Sequence, residues 1–166
     1  GMRIGAKVEI ATGGDMGSHA FIPLSPMEGI ECLWLNKYGE RYCNEAFGGP
    51  LLSGCAGARE PGDRAYLIWG GDWKEVFLNQ LAGHLAPKEW DAETVANMEA
   101  TMEAAIGSGA EGDDTSGKFL YCADTLEELA ELIEVDPAEL KATVERYNKL
   151  CKEGEDKDFY KENHFL

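Results

Sequence analysis

Between residues 123 and 159 the apolar positions recur with the period of a helix, and they do so twice. Leu126, Leu129, Ala130 and Ile133 fall on one stripe, and Leu140, Val144, Tyr147 and Cys151 on another. Such a stripe buries one face of a helix and leaves the other in water. The ends are marked too. Thr125 precedes Glu128, and Asp136 precedes Glu139, at the capping-box spacing in which the first side chain accepts from an orphan helical N–H. Pro137 stands at the first helical position, where its missing N–H costs nothing, and Gly154 is a natural stop. The pattern predicts a tight pair of helices over about Leu126–Ile133 and Pro137–Lys152, with Leu129, Ile133, Leu140, Val144 and Tyr147 buried.

Upstream the pattern changes. Ile30 to Leu35 is mostly apolar on both parities, which predicts a strand covered on both sides. Asn36 to Gly39 makes a turn, with Gly39 able to take φ > 0, and Glu40 to Ala46 returns as the partner strand. Arg41 and Glu45 lie four apart and point to one side of that strand, where a surface ion pair would contribute under about 1 kcal/mol. A two-residue turn sets Cys32 against Cys43; a three-residue loop with a Gly39 bulge sets Cys32 against Asn44. A pair of buried thiols is the ordinary reading, with a disulfide between Cys32 and Cys43 as the alternative.

Arg64–Trp69 reads as a second buried strand and Lys118–Cys122 as a short third one. Asp72 caps a helix over Trp73–Leu81, and Asp91 starts another to about Ile106, with Val95, Met98 and Met102 as its core stripe. Trp69, Trp73 and Trp90 read as core aromatics. Residues 2 to 11 are ambiguous, although Lys7-Val8-Glu9-Ile10 alternates like a strand. Together these elements predict an α+β fold, a small mixed or antiparallel sheet with packed helices.

Composition narrows the function classes. The 166 residues suit one domain with a sizeable core, and 44% apolar residues argue for a globular chain. Thirty-one acidic against 15 basic residues give a net charge of −16, which repels nucleic acid and anionic membranes. Much of that charge is a solvated face of the C-terminal helices and the Glu111–Asp114 stretch. No apolar run reaches the roughly 18 residues of a membrane helix, and none of the 166 residues reads as a signal peptide, which leaves the targeting of a parent chain open. The five cysteines show no C-x-x-C and no histidine at metal spacing, so no zinc site is expected. Gly107 to Gly112 formally spells G-x-G-x-x-G, but it follows a predicted helix, and Glu111, Asp113 and Asp114 would repel a pyrophosphate.

Three stretches say more than their periodicity. Ala123 to Ala130 reads ADTLEELA, the second helix ends in Glu145-Arg146-Tyr147-Asn148, and Gly154 to Phe159 reads G-x-D-x-D-F. This wording resembles the end of the capping domain in the fumarate reductase and succinate dehydrogenase flavoprotein family, a group that also holds urocanate reductases and 3-ketosteroid dehydrogenases. Leu35-Asn36-Lys37-Tyr38-Gly39-Glu40-Arg41-Tyr42-Cys43-Asn44-Glu45 is similar to the family's V-N-x-x-G-x-R-F-x-N-E hairpin. The resemblance frames residues 19 to 160 as the cap, 1 to 18 as a remnant of the flavin-domain segment and hinge, and 161 to 166 as the start of the return. It makes residues 2 to 11 the tail of a helix that packs on the flavin domain.

The resemblance also implies site residues. Ser18-His19-Ala20 matches the family's approach to the substrate cavity, so His19 is a candidate proton carrier or substrate hydrogen-bonder. Arg41 and Glu45 fall at the flavin-facing edge of the cap as structural or substrate-side groups. The Gly- and Ala-rich stretch Phe47–Pro61, with Gly48, Gly49 and Arg59, becomes the substrate-side loop. The T-x-R-D whose arginine delivers a proton in dicarboxylate reductases is replaced by Phe47-Gly48-Gly49-Pro50. The T-E that grips a substrate carboxylate is replaced near Ser25-Pro26. Arg59 and Arg64 would compensate only through a loop rearrangement, so fumarate, succinate and urocanate are not the expected substrates.

The leading expectation is therefore the capping domain of a FAD-dependent oxidoreductase. FAD would be bound by another domain of the parent chain and not by this segment, with a small organic molecule as substrate. A cytoplasmic location is expected, with the cell envelope or periplasm of the parent protein as the alternative. Insertion into the flavin domain would bring Ser18–Leu24 and Phe159–Leu166 within about 20 Å of each other, on one apolar edge able to pair with a second copy. The competing expectation is a free-standing binding or regulatory module that kept the cap fold without its chemistry.

Overall fold

A computed structural model describes residues 4–10, 33–47, 60, 61, 64–75, 92–105, 120–163 and 166. Its strands are β1 (Ile4–Ile10), β2 (Leu33–Asn36), β3 (Arg64–Trp69) and β4 (Leu120–Ala123). Its helices are α1 (Ala92–Ala105), α2 (Leu126–Leu132) and α3 (Pro137–Glu153). The strands form one sheet in the order β2-β3-β1-β4. Every described pairing is antiparallel, with Leu35 opposite Tyr66, Val8 opposite Tyr66 on the other side, and Ala6 opposite Tyr121. The mixed helix-and-strand expectation holds, with an antiparallel sheet.

The helix pair forms as its punctuation dictates. Thr125 Oγ1 accepts from the Glu128 N–H at 3.1 Å, and Asp136 Oδ1 accepts from those of Ala138 and Glu139. Glu128 reaches one residue behind the cap, accepting from the Asp124 N–H at 3.3 Å. Both helices end in the same double hydrogen bond. Gly154, at φ +66°, donates to Cys151 O while Glu155 donates to Leu150 O. Glu134, at φ +59°, donates to Glu131 O while Val135 donates to Ala130 O. These are Schellman closures, and the second uses a residue that pays for its Cβ in the left-handed region.

Burial follows the stripes: Leu129, Ile133, Leu140 and Tyr147 are buried, and Val144 half-buried. They pack on Leu33, Leu35, Tyr66 and Ile68 of the sheet. Tyr66 donates its hydroxyl hydrogen to Ile133 O at 2.7 Å, pinning the end of α2 to the middle of β3. Each fully buried aliphatic side chain here contributes about 1.5–3 kcal/mol. Trp69, Trp73 and Val95 are buried as well. A helix begins at residues 73–75 beside Asp72; its remainder and Trp90 lie outside the described residues.

Two expectations change. Residues 4–10 are not a helix tail but an inner strand, paired with β3 on one side and β4 on the other. The alternation of Lys7 to Ile10 outweighs the resemblance there. Among the described residues, the expected return strand over Glu40–Ala46 is reduced to a single bridge between Leu35 and Arg41, after which Glu45–Phe47 turns into a 3-10 helix. Asn44 causes the break: its Oδ1 accepts from the Ala46 N–H at 2.8 Å and bends the backbone out of the ladder.

The turn is the three-residue kind. Asn36 donates from its N–H to Glu40 O at 2.9 Å, and Gly39 sits at φ +83°. A Cβ at Gly39 would meet Val135 Cγ1 at 2.7 Å, so the turn and the linker between α2 and α3 touch through a residue that must be glycine. Cys32 lies outside the described residues, and Cys43 is a free thiol.

Candidate functional site

Arg41 leaves the turn at its bridge to Leu35 and points inward. Its Nε donates to Glu45 Oε1 and its Nη2 to Glu45 Oε2, both at 2.7 Å. The same guanidinium donates from Nη1 to Asp156 Oδ1 at 3.0 Å and from Nη2 to Asp156 Oδ2 at 2.7 Å. One planar fork thus holds two carboxylates, the geometry for which arginine is suited and lysine is not. The Arg41 side chain is 6% exposed, and those of Glu45 and Asp156 are fully buried. This is no surface ion pair.

Backbone groups complete both acceptors. Glu45 Oε1 also takes the Trp34 N–H at 3.4 Å. Asp156 sits just beyond the Gly154 stop, and the chain wraps around its carboxylate. The N–H groups of Asp158 and Phe159 point at Oδ1, at 3.0 and 3.2 Å, and that of Lys161 at Oδ2, at 3.0 Å. The wrap throws Tyr160 outward at φ +57° and leaves it 81% exposed, while Lys161 turns in. Lys161 Nζ donates to the Tyr147 hydroxyl at 2.7 Å and lies 3.6 Å from Glu45 Oε2. The Arg41 guanidinium stands 4.9 Å from the Tyr147 ring centroid and 5.0 Å from that of Phe159. Two cations and two anions are buried together, which is what makes their burial tolerable.

The electrostatics drive Arg41, Asp156, Tyr147 and Cys43 away from neutral pH. Burial would lower the Arg41 pKa, but hydrogen bonds to Glu45 and Asp156 outweigh it and hold the guanidinium charged. Burial would raise the Asp156 carboxyl, and the bonds from Arg41 and from the Lys161, Phe159 and Asp158 amides overcome it and hold the group well below the usual range. Burial, with the charge of Glu45, pushes the Tyr147 hydroxyl far up and the Cys43 thiol up to about 12. Groups shifted outward in this way do not exchange protons near neutrality, so they position rather than catalyse.

Of the sequence-predicted site residues, Arg41 and Glu45 are brought together, with each other and with Asp156. His19, Gly48, Gly49 and Arg59 lie outside the described residues, as does the Ser18–Leu24 side of the expected hinge. Asp156 and Lys161 were missed as members of a cluster. Asp156 carried a signal, as the first aspartate of the G-x-D-x-D-F stretch; Lys161 carried none. Trp34 Nε1 and Asn44 Nδ2 are buried without an acceptor among the described residues. Among those residues no group of three or more His, Cys, Asp or Glu side chains could hold a metal ion, and no helix is long and apolar enough to cross a membrane.

No protein-family model matches this chain, and no solved structure matches it.

Proposed function

We propose that this chain is the capping, substrate-side domain of a FAD-dependent oxidoreductase resembling the fumarate reductase flavoproteins. One observation supports the reading above others. The two stretches that carry the resemblance, 35–45 and 154–159, meet side chain to side chain. Arg41 and Glu45 come from the first, Asp156 and Phe159 from the second. Residues that contact one another are tied to a fold rather than to local composition, so their joint presence reads as a shared architecture.

In that role the chain would cover the flavin, exclude water and hold a small organic substrate while the flavin exchanges a hydride with it. The FAD belongs to another domain. The G-x-G-x-x-G at 107–112 comes just after α1, which ends at Ala105, whereas a pyrophosphate-cradling motif of this kind follows a strand. Fumarate, succinate and urocanate are not the proposed substrates, because Phe47-Gly48-Gly49-Pro50 occupies the place of the proton-delivering arginine.

A free-standing binding module with the cap fold is favoured by a different observation: β1 is an inner strand, which ties residues 4–10 to the same sheet as β2, β3 and β4. The two readings part on FAD. Added in trans, a flavin-binding domain encoded next to this segment should bind the chain and gain substrate-dependent flavin reduction or oxidation. An adjoining sequence with no dinucleotide-binding domain would leave the module reading in its place.

A further inference from the structure

We infer that Arg41 makes the Glu45–Phe47 turn and the 156–161 loop one cooperative unit, so that the two order and release together. They lie far apart in sequence, with Asp156 115 positions beyond Arg41. The inference does not depend on the flavoprotein reading.

The coupling follows from a shared donor. Arg41 Nη2 serves Glu45 Oε2 and Asp156 Oδ2 at once, each at 2.7 Å. Moving either carboxylate shifts the guanidinium that holds the other. Each carboxylate also carries backbone. Glu45 holds the Trp34 amide of β2, and Asp156 holds the amides of Asp158, Phe159 and Lys161. Displacement at one end therefore reaches main-chain hydrogen bonds at the other. Lys161 closes a second route, from the loop to Tyr147 of α3 and on toward Glu45. Burial makes the coupling strong, because water cannot substitute for a lost partner in a fully enclosed network.

Amide hydrogen exchange on the full chain, read by NMR, tests this. In Asp156→Asn the amides of Trp34 and Ala46 should speed up about tenfold or more along with those of Asp158, Phe159 and Lys161. Glu45→Gln should do the same in reverse. A response confined to the mutated side would overturn the inference. The unmutated protein gives a second reading that needs no variant to fold. As urea is raised, the Trp34, Ala46, Asp158, Phe159 and Lys161 amides should merge onto one exchange isotherm, and separate isotherms for the two segments would refute the coupling.

Discussion

Asp156 and Asp158 stand two residues apart in one short loop, and each takes an arginine in a two-pronged pair. Asp156 takes Arg41 at 2.7 and 3.0 Å; Asp158 takes Arg146 at 2.7 and 3.0 Å. The chemistry is the same and the surroundings are opposite. The first pair is enclosed, with three backbone amides and a second carboxylate around it. The second is half open to solvent, with Arg146 and Asp158 side chains 45% and 32% exposed. An exposed pair exchanges water for protein at little net gain, whereas a buried one leaves an uncompensated charge when a partner is lost. Distance alone does not rank ion pairs; burial does.

The largest effect should come from breaking the enclosed pair. Asp156→Ala or Arg41→Met should destabilise the protein by about 3–5 kcal/mol, read as a drop in the urea midpoint. The same pair sets an acid limit. The folded-state pKa of Asp156 is depressed, so its contribution is complete above the unfolded carboxylate value of about 3.9 and is lost as pH falls toward the folded value. Unfolding free energy should therefore fall steeply below about pH 4, and Asp156→Asn should flatten that part of the curve.

How much of this was written in the sequence depends on range. The helix pair was legible because its signals are local: Thr125, Asp136, Pro137 and Gly154 act on neighbours within a turn, and the stripe positions fix the buried face. The strand over Arg64–Trp69 was legible for a similar reason, being apolar on both parities. The cluster was only half legible. Arg41 and Glu45 could be seen as partners at four-residue spacing, but their expected strand gives way to the Asn44 turn, and nothing local points to Asp156 or buries Lys161. Residues 4–10 were half legible for another reason: the alternation of Lys7 to Ile10 pointed to the strand, while the resemblance pointed to a helix. A strand between two others is specified by its partners, so its own seven residues leave helix and strand both open.

A smaller effect sharpens the contrast between the two helix ends. A Cβ added at Gly154 would meet nothing within 4 Å, so that position needs only its left-handed backbone, while Glu134 adopts the same backbone with a side chain. Glu134→Gly should stabilise by about 0.5–1 kcal/mol in thermal unfolding, and Gly154→Ala should destabilise by a comparable amount. The smallest effect belongs to the open pair: Arg146→Met should leave the urea midpoint unchanged within error. A loss there matching that of Arg41→Met would break the comparison.

The most direct measurement is the guanidinium NMR spectrum of the unmutated chain at neutral pH. Arg41 should give separate, slowly exchanging Nη–H signals, because its rotation is blocked by four hydrogen bonds to two carboxylates. Arg146 should give averaged signals that exchange quickly with water. Averaged, fast-exchanging signals from Arg41 would mean that the enclosed fork is not formed, and the account of how this chain joins its two distant motifs would be wrong.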